Sequence, residues 1–278
     1  MFYKFYKPTG VFANKTVRSL QRELNANKIG HIGILDPLAQ GLMIVATDFE
    51  TKLLQYVKNK NKTYIAKVKF GYFSDSYDSD GNIQKCIEEP ITKEQLEEAV
   101  KYISQTTSQI PPIFSAKKVN GRKAYEYARK DENIELKPQA IKIFSYSILD
   151  FNYQNQEAEV YLEVSEGTYI RTILVDTAAY WNKHAIMTAL KRTQVGDVNL
   201  GNLKANEYDS IDISDIISLP ILNLKNENIK AIEHGNSFKI IAADGMYLLR
   251  NPANNLICAV GEVKNNVFQP KKVALERI

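Results

Sequence analysis

Cysteine is nearly absent: Cys86 and Cys258, distant from each other and outside any CxxC spacing, offer neither a disulfide framework nor a cysteine-rich zinc motif. The three histidines, His31, His184 and His234, are equally scattered along the chain. No metal centre is therefore expected. No apolar run approaches the ~20 residues that span a bilayer. The first residues, Met1-Phe2-Tyr3-Lys4-Phe5-Tyr6-Lys7, have no apolar secretion core. A cytoplasmic chain with no membrane partner is the expectation. Internal repeats, low-complexity tracts and nucleotide fingerprints are also missing.

What is present is enough to fold. A hydrophobic content of 44% over 278 residues supports one large domain, alone or with a smaller one. The net charge of +4 is unevenly placed, because residues 1 to 72 carry 12 Lys/Arg against 4 Asp/Glu while the remainder is net acidic. Six lysines and no acid lie between Lys52 and Lys69, interleaved with Tyr56 and Tyr64. Lysines track phosphates and aromatics stack on bases, so this segment reads as a nucleic-acid face or, equally, as a solvated lysine-rich strand.

Periodicity predicts a helix over 16–28, a buried strand over 42–46, helical turns over 51–57 and a strand over 62–70 with Tyr64, Ala66, Val68 and Phe70 on its buried face. Thr92-Lys93-Glu94-Gln95 fits a capping box that opens a helix. Strands over 141–149 and 157–164 read as a hairpin. A helix after Arg171, a short helix over 185–192 and short strands over 238–242, 246–250 and 256–263 complete the pattern. The acidic turn from Asp75 to Gly81 lacks the carboxylates a calcium loop needs at its ends and reads as a turn that orients a neighbouring arginine or tops a hairpin.

One stretch, His31-Ile32-Gly33-Ile34-Leu35-Asp36-Pro37-Leu38-Ala39-Gln40-Gly41, holds a single acid before a proline. Pro37 restrains Asp36 to extended geometry. Burial against Leu35 and Leu38 would disfavour its charge unless a cation stands nearby. On Leu35-Asp36-Pro37 alone, a turn aspartate bonded to its own backbone is the plainer reading, with a nucleophile or general acid/base as the sharper one. Arg171, at a strand-to-helix junction, gains nothing from the helix dipole and needs an acid if buried.

Taken together, Lys7-Pro8, the stretch from His31 to Gly41, Lys62-Thr63-Tyr64, Ser115-Ala116-Lys117, Tyr125-Glu126-Tyr127-Ala128-Arg129 and Gly167-Thr168-Tyr169-Ile170-Arg171-Thr172 resemble, in order and spacing, the TruB family of tRNA pseudouridine synthases. The resemblance covers about the first 200 residues. It implies an α+β fold with a mixed, largely antiparallel central sheet flanked by helices. It also implies a catalytic domain at 1–218 and a small PUA-like β domain that binds RNA at 219–278. The implied activity is isomerisation of uridine 55 in the tRNA T-loop to pseudouridine by base flipping, with no cofactor.

By that resemblance Asp36 is the catalytic aspartate, Tyr64 the active-site tyrosine, Arg171 the partner of the aspartate, and Leu190 an apolar pocket residue. His31 fills the space the flipped nucleotide leaves. Lys7, Lys62, Lys67, Lys69, Lys117 and Arg122 are the expected RNA contacts. Ile34 and Ile32 depart from the family pattern, which often has Thr and a polar residue there; Asp36 and Pro37 do not depart from it. A non-catalytic RNA binder and an aspartyl phosphotransferase are the rival classes. The first is opposed by the set Asp36, Tyr64 and Arg171, the second by the lack of a second acid beside Asp36. A stand-alone monomer acting on the tRNA T-arm, without a protein partner, is expected rather than a guide-RNA-dependent subunit.

Overall fold

A computed structural model describes residues 1–130 and 132–278. The main sheet has nine strands. Its principal members are β1 (Phe2–Lys7), β2 (Ile29–Ile32), β3 (Gln40–Thr47), β4 (Lys62–Phe70), β7 (Ile143–Asn152), β8 (Glu157–Val164), β9 (Ala185–Val195) and β10 (Tyr208–Ile211), with β5 (Tyr72–Ser74) and β6 (Ile83–Lys85) forming a separate hairpin. The order is β7-β8-β4-β9-β3-β1-β10, with β2 also paired to β3. All pairings named are antiparallel except β9 with β3, which run parallel over Lys191↔Gln40 and Arg192↔Gly41. That short junction lies at the end of the loop bearing Asp36. Gly41 makes it possible: its φ is +107°, and a Cβ there would collide with the Arg192 carbonyl.

Helices α1 (Ala13–Glu23), α2 (Lys93–Ile103), α3 (Ala124–Ala128) and α4 (Ile170–Ala179) flank the sheet. The Thr92 capping box is present, with Gln95 as its reciprocal partner. Among the described residues no helix is long and apolar enough to cross a membrane.

The structure corrects several boundaries. Helix α1 starts at Ala13 rather than Thr16 and ends before Asn25, whose φ of +49° breaks it. His31 and Ile32 then belong to strand β2, not to a loop. The turns expected over 51–57 are two 3-10 segments, Asp48–Lys52 and Leu54–Tyr56. The largest correction is at 185–192, predicted helical and observed as the long central strand β9. Ala185, Met187, Ala189 and Leu190 favour helix in isolation. Here hydrogen bonding to β4 along nearly the whole strand outweighs that preference.

The C-terminal part forms a second, five-stranded sheet, ordered β11 (Ile221–Asn223), β13 (Gly245–Asn251), β14 (Leu256–Lys264), β15 (Val267–Val273), β12 (Phe238–Lys239). It packs on the main sheet through a shared cluster in which Phe2, Leu42, Ile44 and Val195 meet Leu248, Ile257 and Val260. Glu50 clasps the two parts polarly. Its carboxylate accepts from Arg277 Nη1 at 2.7 Å and Nη2 at 2.9 Å, and from the Met1 ammonium at 2.8 Å.

Burial alone would raise the Glu50 pKa, but the hydrogen bonds and charges of Arg277 and the N-terminus outweigh it and lower it. A depressed folded-state pKa stabilises fully above the unfolded value and is lost as pH falls through the folded one. Glu50→Gln should therefore cost about 2 kcal/mol at pH 7 by leaving the partly buried Arg277 without its counter-charge. The difference from wild type in denaturant midpoints should shrink below about pH 4.

Candidate active site

Asp36 sits in the β2–β3 loop, and buried groups fix its backbone. Lys7, at the end of β1, is fully buried (0% exposed). Its ammonium donates to the carbonyls of Pro8 at 2.9 Å, Pro37 at 3.2 Å and Ala39 at 2.6 Å. Burial, partly offset by Asp36, lowers its pKa to about 8. Gly10 N–H donates to Pro37 O at 2.8 Å, and Thr9 Oγ1 to Leu38 O at 2.7 Å. The loop is thus pinned on both sides of the acid. Lys7, expected as an RNA contact, instead ties the loop together from inside the protein.

The second residue of α4, Arg171, reaches Asp36 Oδ2 with Nη2 at 2.9 Å. Its side chain is 4% exposed, against 37% for Asp36. One carboxylate therefore meets solvent while its counter-charge is buried. The acidic turn between β5 and β6 supplies a second acid: Asp78 Oδ2 lies 3.6 Å from Arg171 Nε and is equally buried. Arg171 further donates to Ser76 O at 2.7 Å and Phe114 O at 2.9 Å, so its fork is held on several sides. Just before α4, the Gln109 amide exchanges two hydrogen bonds with the Tyr169 backbone at 2.8 and 2.9 Å, which fixes where the helix begins.

Tyr64, on β4, is 5% exposed and belongs to the hydrophobic cluster that contains Leu35 and Leu190. Burial raises its pKa despite the nearby Arg192 guanidinium, so the phenol keeps its proton at neutral pH. Arg192, directly across from Tyr64 on β9, is 1% exposed. It donates through Nε to Leu42 O at 2.6 Å and through Nη2 to Gly33 O at 3.1 Å. Sequence analysis does not single out Arg192, because the helix expected over 185–192 hides the strand register that points it into the loop. His31, on β2, has its pKa lowered by burial and by Arg192, and its Nδ1 is buried without a hydrogen-bond partner among the described residues.

The lysine face is largely neutralised. Lys62 is 6% exposed, with its pKa lowered to about 8 by burial and by Arg192. Lys67 pairs with Glu159 at 3.9 Å and Lys69 with Glu157 at 2.8 Å. Further away, Lys117 donates to Gln139 Oε1 at 2.8 Å, and Arg122 forks onto Glu132 while stacking 4.1 Å above the Tyr127 ring. The better-placed cations are on α1. Lys15, Arg18 and Arg22, with exposed Phe12 and Asn14, line an open cleft of about 560 Å³. Among the described residues, no carboxylate pairs with these three cations. Lys15 stands in the first turn of α1, where no acid is present and a cation works against the helix dipole, whereas Arg22 in the last turn complements it. This cleft follows directly on the Pro8-Thr9-Gly10 turn that holds the Asp36 loop.

Comparison with known proteins shows the family to which this fold belongs. Residues 21–170 match the model of the TruB family pseudouridylate synthase N-terminal domain. The chain is 37% identical over 280 residues to the tRNA pseudouridine synthase B of Mesomycoplasma hyopneumoniae strain 232, covering 98% of this chain and 82% of that protein. It is 31% identical to that of Aquifex aeolicus strain VF5, with 96% of each chain covered. A solved Cbf5–Nop10–Gar1 complex contains a chain of the same fold, at TM-score 0.64 and 18% identity, covering 99% of this chain and 86% of that one. With the sheet, the motif order and full-length relatives in agreement, the chain belongs to the TruB family of pseudouridine synthases.

Proposed function

We propose that this chain converts a uridine of tRNA, uridine 55 in the T-loop, to pseudouridine, with Asp36 as the reacting carboxylate. The observation that carries this reading is the pairing of a solvent-facing Asp36 with a buried Arg171 at 2.9 Å. Its relatives named tRNA pseudouridine synthase B supply the substrate class. The reaction breaks the N1–C1′ bond, turns the base and joins C5 to C1′, with no net hydrolysis or redox change. An ionised carboxylate can attack C1′ or C6, or assist formation of a glycal. Arg171 supplies the opposite charge beside that carboxylate as the pocket dries around the flipped base. Tyr64, protonated and across from Arg192, can offer a stacking face and relay the proton that C5 gives up.

The target base must leave its stack, which costs a few kcal/mol, roughly. Phosphate contacts along α1 and the small C-terminal sheet, taken as an RNA-binding unit beginning after residue 218, hold the tRNA while that happens. Incubating the purified chain with unmodified tRNA and mapping pseudouridines by position tests the assignment; a tRNA left unmodified at position 55 would overturn it.

The α1 cleft gives a separate prediction. Replacing Lys15, Arg18 and Arg22 together with Gln should weaken tRNA binding and make the slope of log K against log salt shallower by about 2. An unchanged slope would place the phosphate contacts elsewhere.

A further inference from the structure

Cys86 and His184 are nearly 100 residues apart in sequence, yet the fold sets them side by side. Cys86 follows β6, and its N–H donates to Gly71 O at 2.9 Å. Gly71 N–H in turn donates to His184 O at 2.9 Å, just before β9. Glu88 closes the ring: its Oε1 accepts from the His184 backbone N–H at 3.1 Å, and its Oε2 lies 3.0 Å from His184 Nδ1. The Cys86 sulfur, a Glu88 oxygen and an imidazole nitrogen all lie within 4.8 Å of one another. The Phe73 ring stands edge-on to the imidazole at 6.2 Å.

We propose that Cys86, Glu88 and His184 bind one divalent ion of the zinc class, leaving the fourth position to water. The donor set decides the class. A thiolate, an imidazole and a carboxylate suit zinc or cobalt, whereas magnesium and calcium require oxygen ligands. Two ligands about 2.0 Å from a tetrahedral ion stand about 3.3 Å apart, close to the Nδ1–Oε2 separation already present. The sulfur closes the remaining gap by rotating about its Cα–Cβ bond. On binding, the thiol proton leaves to solvent, and the imidazole proton that bridges to Glu88 is replaced by a proton on Nε2. Glu88 is 14% exposed and His184 50%, so the ion enters from an open side.

None of its three side chains is among the groups assigned to the reaction. Its effect is mechanical. An ion there ties the end of β6 to the start of β9. The β5–β6 loop is joined to β9 nearby, where Met187 N–H donates to Tyr77 O and Ser79 N–H to Met187 O, each at 3.0 Å. Asp78, which faces Arg171, lies between those two bonds. Zinc would therefore stabilise the loop that supports the Arg171 counter-charge.

The test titrates the metal-free full chain with cobalt and with zinc. Cobalt should give a thiolate charge-transfer band and tetrahedral d–d bands at one equivalent. Zinc, in competition with a chromophoric chelator, should bind once per chain and raise the melting temperature. Cys86→Ser and His184→Ala, checked for folding by circular dichroism, should each weaken zinc binding at least about 10-fold and abolish the charge-transfer band or the thermal shift. Cys258→Ser, at a buried cysteine elsewhere, should change neither. Absence of stoichiometric binding in the wild type, or equal zinc affinity in the Cys86 and His184 variants, would overturn the site. The readout is independent of pseudouridine formation, so it stands or falls apart from the proposed activity.

Discussion

Asp36→Asn should lower the single-turnover rate of pseudouridine formation by a factor on the order of 10⁴ or more while leaving tRNA affinity and folding nearly intact. The asymmetry comes from what holds the loop. Backbone carbonyls on Lys7, together with the Gly10 and Thr9 bonds, position residues 37 to 39 without using the Asp36 side chain. An asparagine keeps the size of the residue and an oxygen that can accept from Arg171. Arg171 also keeps Asp78 as a buried counter-charge, so no cation is orphaned. What disappears is the negative charge, the one property that every version of the chemistry requires. Rapid-quench measurement with saturating enzyme reads the chemical step, and filter binding reads affinity. A turnover near wild type would remove Asp36 from the reaction; a matching collapse in melting temperature would make its role structural.

The features legible in the sequence were those written into contiguous residues. Pro37 constrains Asp36, the Thr92 capping box starts α2, and alternation along Lys62–Phe70 marks β4. The acidic turn read as able to orient an arginine does carry Asp78 to Arg171. Much of the rest depends on partners distant in the chain. The ion pairs of Lys67 and Lys69 leave no trace in their own segment, because Glu159 and Glu157 stand directly across in register on β8. Arg192 carried no signal because the helix assigned to 185–192 hid its register opposite Tyr64. Strand β15 was missed through Pro270, which a sheet normally rejects; here it faces Gly261 beside a register shift, where a missing donor is tolerated. The complete burial of Lys7 is not legible either, because a lysine beside a proline gives no sign of it.

Arg171→Ala should be the most disruptive single change to the counter-charge, and a second substitution separates its two consequences. Removing the guanidinium strands Asp78, which is 5% exposed, and leaves the carbonyls of Ser76 and Phe114 without their donor. Breaking a buried pair in this way costs about 3–5 kcal/mol, most of it at Asp78, because Asp36 faces water and is screened. The rate should fall by about 10³-fold, since Asp36 would then enter a drying pocket with no cation beside it. Adding Asp78→Asn to Arg171→Ala removes the stranded charge. Much of the lost stability should return in denaturant titrations, whereas the single-turnover rate should stay low, because Asp36 remains without its partner. Recovery of both together would mean that Arg171 serves catalysis only by keeping the β5–β6 loop folded. Recovery of stability alone would assign it directly to the charge of Asp36. Arg171→Lys completes the series: one ammonium cannot span two carboxylates and two carbonyls, so its rate should fall between wild type and Arg171→Ala, with the planar fork accounting for the difference.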